Sequence, residues 1–219
     1  MSESTRTKLR RFYDAMYKAL GPQRWWPGDS PTEIIVGAIL TQNTNWGNVE
    51  RAIANLKAAG LLDWVALRDV APVRLAEQIR PAGYFNVKAR RLKNFVDWLW
   101  RKYGGDLDRI AATGLTTLRA EVLAIDGIRR ETADSILLYA LNRPSFVVDA
   151  YTARIARRHG LKAKDYHELQ AIFEQNLPRD LAMFNEYHAL IVAVGKQYCR
   201  PTARCDGCPL ARFPHDEKA

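Results

Sequence analysis

Apolar residues recur three and four positions apart along almost the whole chain. Between residues 5 and 20, Leu9, Phe12, Tyr13, Met16, Tyr17 and Leu20 fall on one face of an amphipathic helix. Ser30, then Pro31 and Glu33, reads as an N-cap, a proline in the first helical position and an early negative charge, and predicts a helix at about 31 to 41. The same spacing predicts helices at about 46–59, 63–68, 72–79, 86–103, 106–111, 115–124, 130–142, 149–159, 165–176 and 180–198. The breaks between them carry Gly, Pro or Asn, as in "AAG", "RPAGYFN", "KYGGD", "DGI", "NRPS" and "NLPRD". Only SFVV at 145–148 could pass for a strand, and four residues without a partner make a poor sheet. The pattern is that of an all-α chain without internal repeats.

Composition narrows the class. A chain of 219 residues, 47% apolar and 26% charged, is globular and long enough for one large domain or two small ones. No apolar run approaches the roughly 18 residues of a membrane span. The opening segment MSESTRTKLRRFYDAMYKAL has helical spacing and charges in place of a signal-peptide apolar run. A soluble, cytoplasmic protein is expected. The formal charge of +9 favours a polyanionic partner, because surface Lys and Arg release the counterions of nucleic acid. A basic surface alone does not distinguish such a protein from the many basic ones that bind nothing specific.

The chemistry concentrates in two stretches. "IDGIRRETADSILLYALNRPSFVVDAYTARI", residues 125–155, reads as a turn around Gly127, a helix, a proline break and Asp149 opening a further helix. With the helix at 115–124 it makes a helix-hairpin-helix. Gly in the turn lets backbone approach a phosphate, the opening N–H groups of the second helix offer donors, and Arg129 and Arg130 add charge. The last 21 residues hold all three cysteines, Cys199, Cys205 and Cys208, spaced C-x5-C-x2-C; with no partner elsewhere for a disulfide framework, metal or cluster ligation is the natural reading.

The order of these landmarks resembles the helix-hairpin-helix DNA glycosylase superfamily in its endonuclease III branch. There a hairpin is followed by about 20 residues and a "VD" whose aspartate is catalytic. "GAILTQNTNW", "IRPAGYFNVKARRLKN" and "GKQYCRPTARCDGCPL" resemble further family segments, so the likeness covers nearly the whole chain. It implies two helical lobes with a DNA-binding cleft between them: a discontinuous domain of residues 1–21 and 133–219 carrying the cysteine loop at 199–215, and a barrel-like helical domain of residues 22–132, with the hairpin at about 115–140 spanning the junction. It also implies duplex DNA containing a damaged base as partner, a monomer, and a nucleoid-associated place of work.

By the same resemblance, Asp149 is the catalytic carboxylate and Gln42 fills the gap left by a flipped nucleotide. Gly127, Ile128, Arg129 and Arg130 grip the strand. Where bifunctional members have "GVGRKTA", with a lysine that attacks the sugar, this chain has "GIRRETA" and Glu131, which cannot form a Schiff base. Glu131, with "WWP" and "LTQNT", is similar to the 3-methyladenine DNA glycosylase III subgroup. That likeness implies a monofunctional enzyme releasing N-alkylated purines into a base pocket of Trp25, Trp26, Pro27, Trp46 and Glu131. Trp25 and Trp46 would sandwich the base, although core packing is the commoner fate of a tryptophan at helical spacing, and one of the three is assigned to the core. Arg129, in place of the second hairpin glycine, departs from the family pattern.

The cysteine loop departs further. The family spacing is C-x6-C-x2-C-x5-C around a [4Fe-4S] cluster, whereas here the first interval is one residue shorter and no fourth cysteine follows. His215 offers a fourth ligand; the alternatives are a lost cluster, weak zinc binding by three cysteines, or one open iron. Two other functions stay open. A bifunctional glycosylase/lyase acting on damaged pyrimidines would need another amine, Lys88 or the amino terminus. A DNA-binding helical module without catalysis would have no use for Asp149.

Overall fold

The computed structural model describes residues 3–26 and 28–217. Among these residues there are eleven α-helices and no strand: α1 (Thr5–Leu20), α2 (Pro31–Leu40), α3 (Trp46–Ala58), α4 (Trp64–Asp69), α5 (Pro72–Gln78), α6 (Phe85–Tyr103), α7 (Leu115–Leu123), α8 (Arg130–Ser135), α9 (Ala150–Arg158), α10 (Tyr166–Asn176) and α11 (Leu181–Gln197). Seven of them start on a side-chain cap, from Ser4, Ser30, Asn45, Asp63, Asp149, Asp165 and Asp180. Each oxygen accepts from an N–H that the helix leaves without an acceptor. No helix among the described residues is long and apolar enough to cross a membrane.

Three segments differ from the sequence pattern. The helix expected at 106–111 is a 3-10 turn, Asp108–Ala112, and a second 3-10 turn, Arg80–Ala82, falls inside the expected break. The helix expected at 130–142 is α-helical only to Ser135 and continues as a π turn, Ile136–Ala140. SFVV is extended and buried without strand pairing. Side chains satisfy its backbone: Phe146 N–H donates to Glu174 Oε1 at 2.8 Å, Val148 N–H to the Tyr166 hydroxyl at 3.3 Å, and Gln170 Nε2 donates to the Phe146 carbonyl at 2.7 Å. A buried extended segment needs such partners as much as a strand needs a neighbour.

The chain forms two compact units, residues 1–26 with 144–219, and residues 27–143. The division falls at 143/144 because Ala133, Ile136, Leu137 and Ala140 of the second hairpin helix belong to the core of the 27–143 unit. That core is built on the apolar stripe of α6 (Leu92, Phe95, Val96, Leu99), with Ile35 and Ile39 of α2 and Leu118 and Val122 of α7. Asp134 of α8 is fully buried and takes a two-pronged ion pair from Arg119 of α7, at 2.7 and 2.9 Å, which fastens the hairpin.

In the other unit, Phe146 stacks on Phe173 of α10 at 4.2 Å between centroids. The Tyr187 hydroxyl of α11 donates to the Leu9 carbonyl of α1 at 2.8 Å. α9 and α11 approach so closely at Gly195 that an added Cβ would lie 2.4 Å from the Tyr151 ring. This contact holds the helix that begins at Asp149 against the helix that leads into the cysteines.

Candidate functional site

Asp149 caps α9. Its Oδ1 accepts from the Thr152 amide at 2.7 Å and the Thr152 hydroxyl at 2.9 Å. Its Oδ2 lies 3.6 Å from Nε2 of His188, a buried residue of α11, and the Asp149 side chain is only 12% exposed. Burial by itself pushes the carboxyl pKa up, but His188 and the Thr152 donors outweigh it and hold the group below its ordinary 3.8. Asp149 is therefore a carboxylate at neutral pH, with Oδ1 committed to the helix and Oδ2 facing His188.

In the same unit the segment before residue 27 is tied to α11, since Gln23 N–H donates to Glu186 Oε1 at 2.7 Å. Trp25 and Trp26 are half-buried and meet edge to face at 5.5 Å. The buried Trp25 Nε1 has no hydrogen-bond acceptor among the described residues, and Lys196 Nζ lies 5.5 Å from the Trp25 ring centroid. Pro27 lies outside the described residues.

In the 27–143 unit the hairpin turn and the Gln42 loop are one network. Gln42 Oε1 accepts from Arg91 of α6, while Gln42 Nε2 donates to Thr132 Oγ1 at 2.9 Å and to the Gly127 carbonyl at 3.3 Å. Gly127 has φ of +87°, and a Cβ there would lie 2.3 Å from Arg91 Cγ. The turn therefore needs glycine twice, for its left-handed backbone and for the passage of Arg91. Arg129, Arg130 and Glu131 are exposed where α8 opens. The Ile128 side chain is buried in the core, so the turn offers backbone and not that side chain to a partner. Trp46 opens α3, packs half-buried against this core and donates from Nε1 to Glu50 Oε1 at 2.8 Å.

Lys88 is 1% exposed. Its Nζ donates to the carbonyl of Leu40, the last residue of α2, at 2.8 Å and to that of Ala82 at 2.7 Å. Burial, with Arg91 nearby, lowers its pKa to about 8. The lysine pins the start of the Gln42 loop to the turn before α6.

Cys199, Cys205, Cys208 and His215 line one cavity. Two arginines of α9 brace its rim. Arg158 donates to Cys199 Sγ at 3.2 Å and to the Arg200 and Pro201 carbonyls at 2.7 Å each, and Arg154 Nε donates to the Cys199 carbonyl at 2.6 Å. Three thiols and an imidazole around one space are a donor set that suits an iron–sulfur cluster.

Sequence reasoning named Gln42, Gly127, Asp149 and the cysteines but missed the residues that hold them: Arg91, Thr132, His188 and Arg158. One signal was present: His188 lies on the apolar face of α11 between Phe184 and Ile191.

The family model described as "HhH-GPD superfamily base excision DNA repair protein" matches residues 36–179. A protein of Methanocaldococcus jannaschii named as a DNA repair glycosylase is 50% identical over 218 residues, covering 97% of this chain and 98% of its own. The chain belongs to the HhH-GPD superfamily of base excision DNA repair proteins. Among solved structures, the Helicobacter pylori 3-methyladenine DNA glycosylase bound to 1,N6-ethenoadenine is 27% identical with a TM-score of 0.77, covering 89% of this chain and 98% of that one. An endonuclease III in a non-covalent DNA complex, at 21% identity, has the same fold with a TM-score of 0.83 over 99% of this chain and 98% of that one.

Proposed function

We propose that this protein is a monofunctional DNA N-glycosylase that releases N-alkylated purines from duplex DNA and leaves an abasic site in an uncut strand. The observation that carries this reading is Asp149, a buried carboxylate kept ionised by Thr152 on one oxygen and His188 beside the other. The hairpin backbone around Gly127, with Arg129 and Arg130, holds the strand, and Gln42 occupies the space of the extruded nucleotide. The C1′–N bond breaks with its electron pair leaving on the base. Asp149 stabilises the oxocarbenium-like sugar, water adds to C1′, and the carboxylate takes the water's proton.

An N-alkylated purine carries its own positive charge and leaves without a strong acid, so selection falls to the pocket. Aromatic faces such as those of Trp25 and Trp46 attract a cationic ring by roughly 1–3 kcal/mol per base. Lys196 beside Trp25 marks that ring as a face that accepts a cation, which an incoming base would displace. The solved Helicobacter pylori relative, a 3-methyladenine glycosylase holding ethenoadenine, supports the same substrate class.

Two features support hydrolysis without strand cleavage. Glu131 occupies the motif position of the lyase lysine, and Lys88, the alternative amine, is buried with Nζ bonded to two carbonyls. We also propose that Cys199, Cys205 and Cys208 hold a [4Fe-4S] cluster. When bound it supplies a cross-link that fixes the end of the chain to α9 and α11.

The test is incubation of the purified protein with methylated duplex DNA, followed by chromatography of the bases released. Release of 3-methyladenine above the spontaneous rate is expected. Intact DNA binding with no release of any methylated or etheno base would contradict the proposal and leave a non-catalytic binding module.

A further inference from the structure

We propose that His215 replaces the missing fourth cysteine and ligates the cluster through Nε2, completing a three-cysteine, one-histidine set with Cys199, Cys205 and Cys208. The inference rests on the cluster proposed above and names the ligand that the family spacing does not supply.

The first ground is the tautomer. His215 Nδ1 is 2.7 Å from the Phe213 carbonyl, and a carbonyl only accepts, so the ring proton is on Nδ1. In the neutral imidazole Nε2 is then the lone-pair nitrogen, and it lies 3.5 Å from Cys205 Sγ. An imidazole whose far N–H is fixed by a backbone carbonyl is the arrangement that orients metal-binding histidines.

The second ground is placement. His215 shares the cavity with all three cysteines, and its half-buried ring packs against His159 at 5.4 Å between centroids. His159 is itself tied to the loop, its Nδ1 lying 3.2 Å from the Pro214 carbonyl. The segment 213–215 is thus fixed at two carbonyls with one nitrogen directed at a thiol.

Glu217 provides the competing arrangement. Its Oε1 lies 3.8 Å from His215 Nε2, and Cys205, His215 and Glu217 present donor atoms all within 4.8 Å of one another. Such close donors suit a single tetrahedral ion, for which zinc bonds of about 2.0–2.3 Å set the scale. That set leaves out Cys199 and Cys208, although both line the same cavity and Cys199 accepts from the Arg158 guanidinium. The cluster uses all of them.

The experiment is anaerobic purification of the wild type, His215→Ala, His215→Cys and Glu217→Gln, with iron, sulfide and zinc analysis, visible absorbance, and electron paramagnetic resonance of the reduced protein. Circular dichroism checks folding. The wild type is expected to hold about four irons per chain. His215→Ala should lose iron or change its resonance signal, Glu217→Gln should match the wild type, and His215→Cys should keep four irons at a more negative reduction potential, because imidazole ligation raises the potential relative to thiolate. A wild-type cluster with iron count and signal unchanged in His215→Ala would overturn the role of His215 and leave the cluster standing. Zinc in place of iron, or no metal, would overturn both, and base release by the same preparation would show that the glycosylase reading survives.

Discussion

Glu131 and Asp149 both lie where a helix opens, and the two acids are in opposite circumstances. Glu131 is the second residue of α8 and is exposed just after Arg129 and Arg130 at the hairpin. Asp149 caps α9 from within the other unit, buried, with Thr152 on one oxygen and His188 near the other. An acid near a helix N-terminus is favoured by the helix dipole in both places. At Asp149 the burial gives a low local dielectric, in which the field of the carboxylate counts for more. The motif position that carries a nucleophile in bifunctional relatives is here a surface carboxylate, and in the proposed function the chemistry falls to Asp149.

The sharpest break of that contrast is Asp149→Asn, which keeps size and removes the charge. Base release under single-turnover conditions should fall about 10²- to 10³-fold, the scale of losing one electrostatic stabiliser of a transition state. Affinity for abasic-site DNA should stay within about threefold, since binding rests on the hairpin. Retained turnover would contradict the role assigned to the carboxylate.

Removing its neighbour should cost less. With the Asp149 pKa held below 3.8, the carboxylate persists from neutral pH down to that depressed value, and base release is lost only as pH falls through it. In His188→Leu the burial remains while its counterweight goes, so the pKa rises. The acid limb of the rate profile should move to higher pH, with a rate near neutrality about tenfold lower, roughly 1.4 kcal/mol. His188→Gln, which keeps a donor, should recover much of the shift. An unmoved acid limb in the leucine variant would mean that His188 only fills space.

Gln42→Ala should weaken binding to an abasic product about tenfold while changing affinity for undamaged duplex little, at one salt concentration. Equal losses on both would make Gln42 a part of the Arg91–Gly127–Thr132 network and nothing more. The smallest effect belongs to Glu131→Gln. Base release should stay within about threefold of wild type, and a large loss in a folded variant would place Glu131 in the catalytic pair.

The helices were legible because their start signals are local. Ser30 with Pro31, Asn45, Asp63, Asp165 and Asp180 each mark a boundary within a few residues of sequence, and the chain folds at those marks. The 106–111 segment misled because so short a run with apolar spacing suits a 3-10 turn as well as a helix. What escaped was contact over distance. Gln42 meets Thr132 across 90 residues, Arg158 reaches Cys199 across 41, and Phe146 finds its acceptor 28 residues on. Spacing shows that His188 and Lys88 lie on apolar faces, but only the packing of α11 and α6 reveals a carboxylate beside one and two carbonyls beside the other.

The central claim is that Asp149 performs hydrolysis without an amine nucleophile. Its most direct test is one reaction of wild-type protein with methylated duplex DNA, split in two: one half scored for released base and for strand breaks before and after alkali, the other treated with borohydride. Released base, a strand broken only by alkali, and no trapped protein–DNA adduct are the expected result. Strand cleavage without alkali together with a borohydride-trapped adduct would contradict the account and show that an amine attacks the sugar.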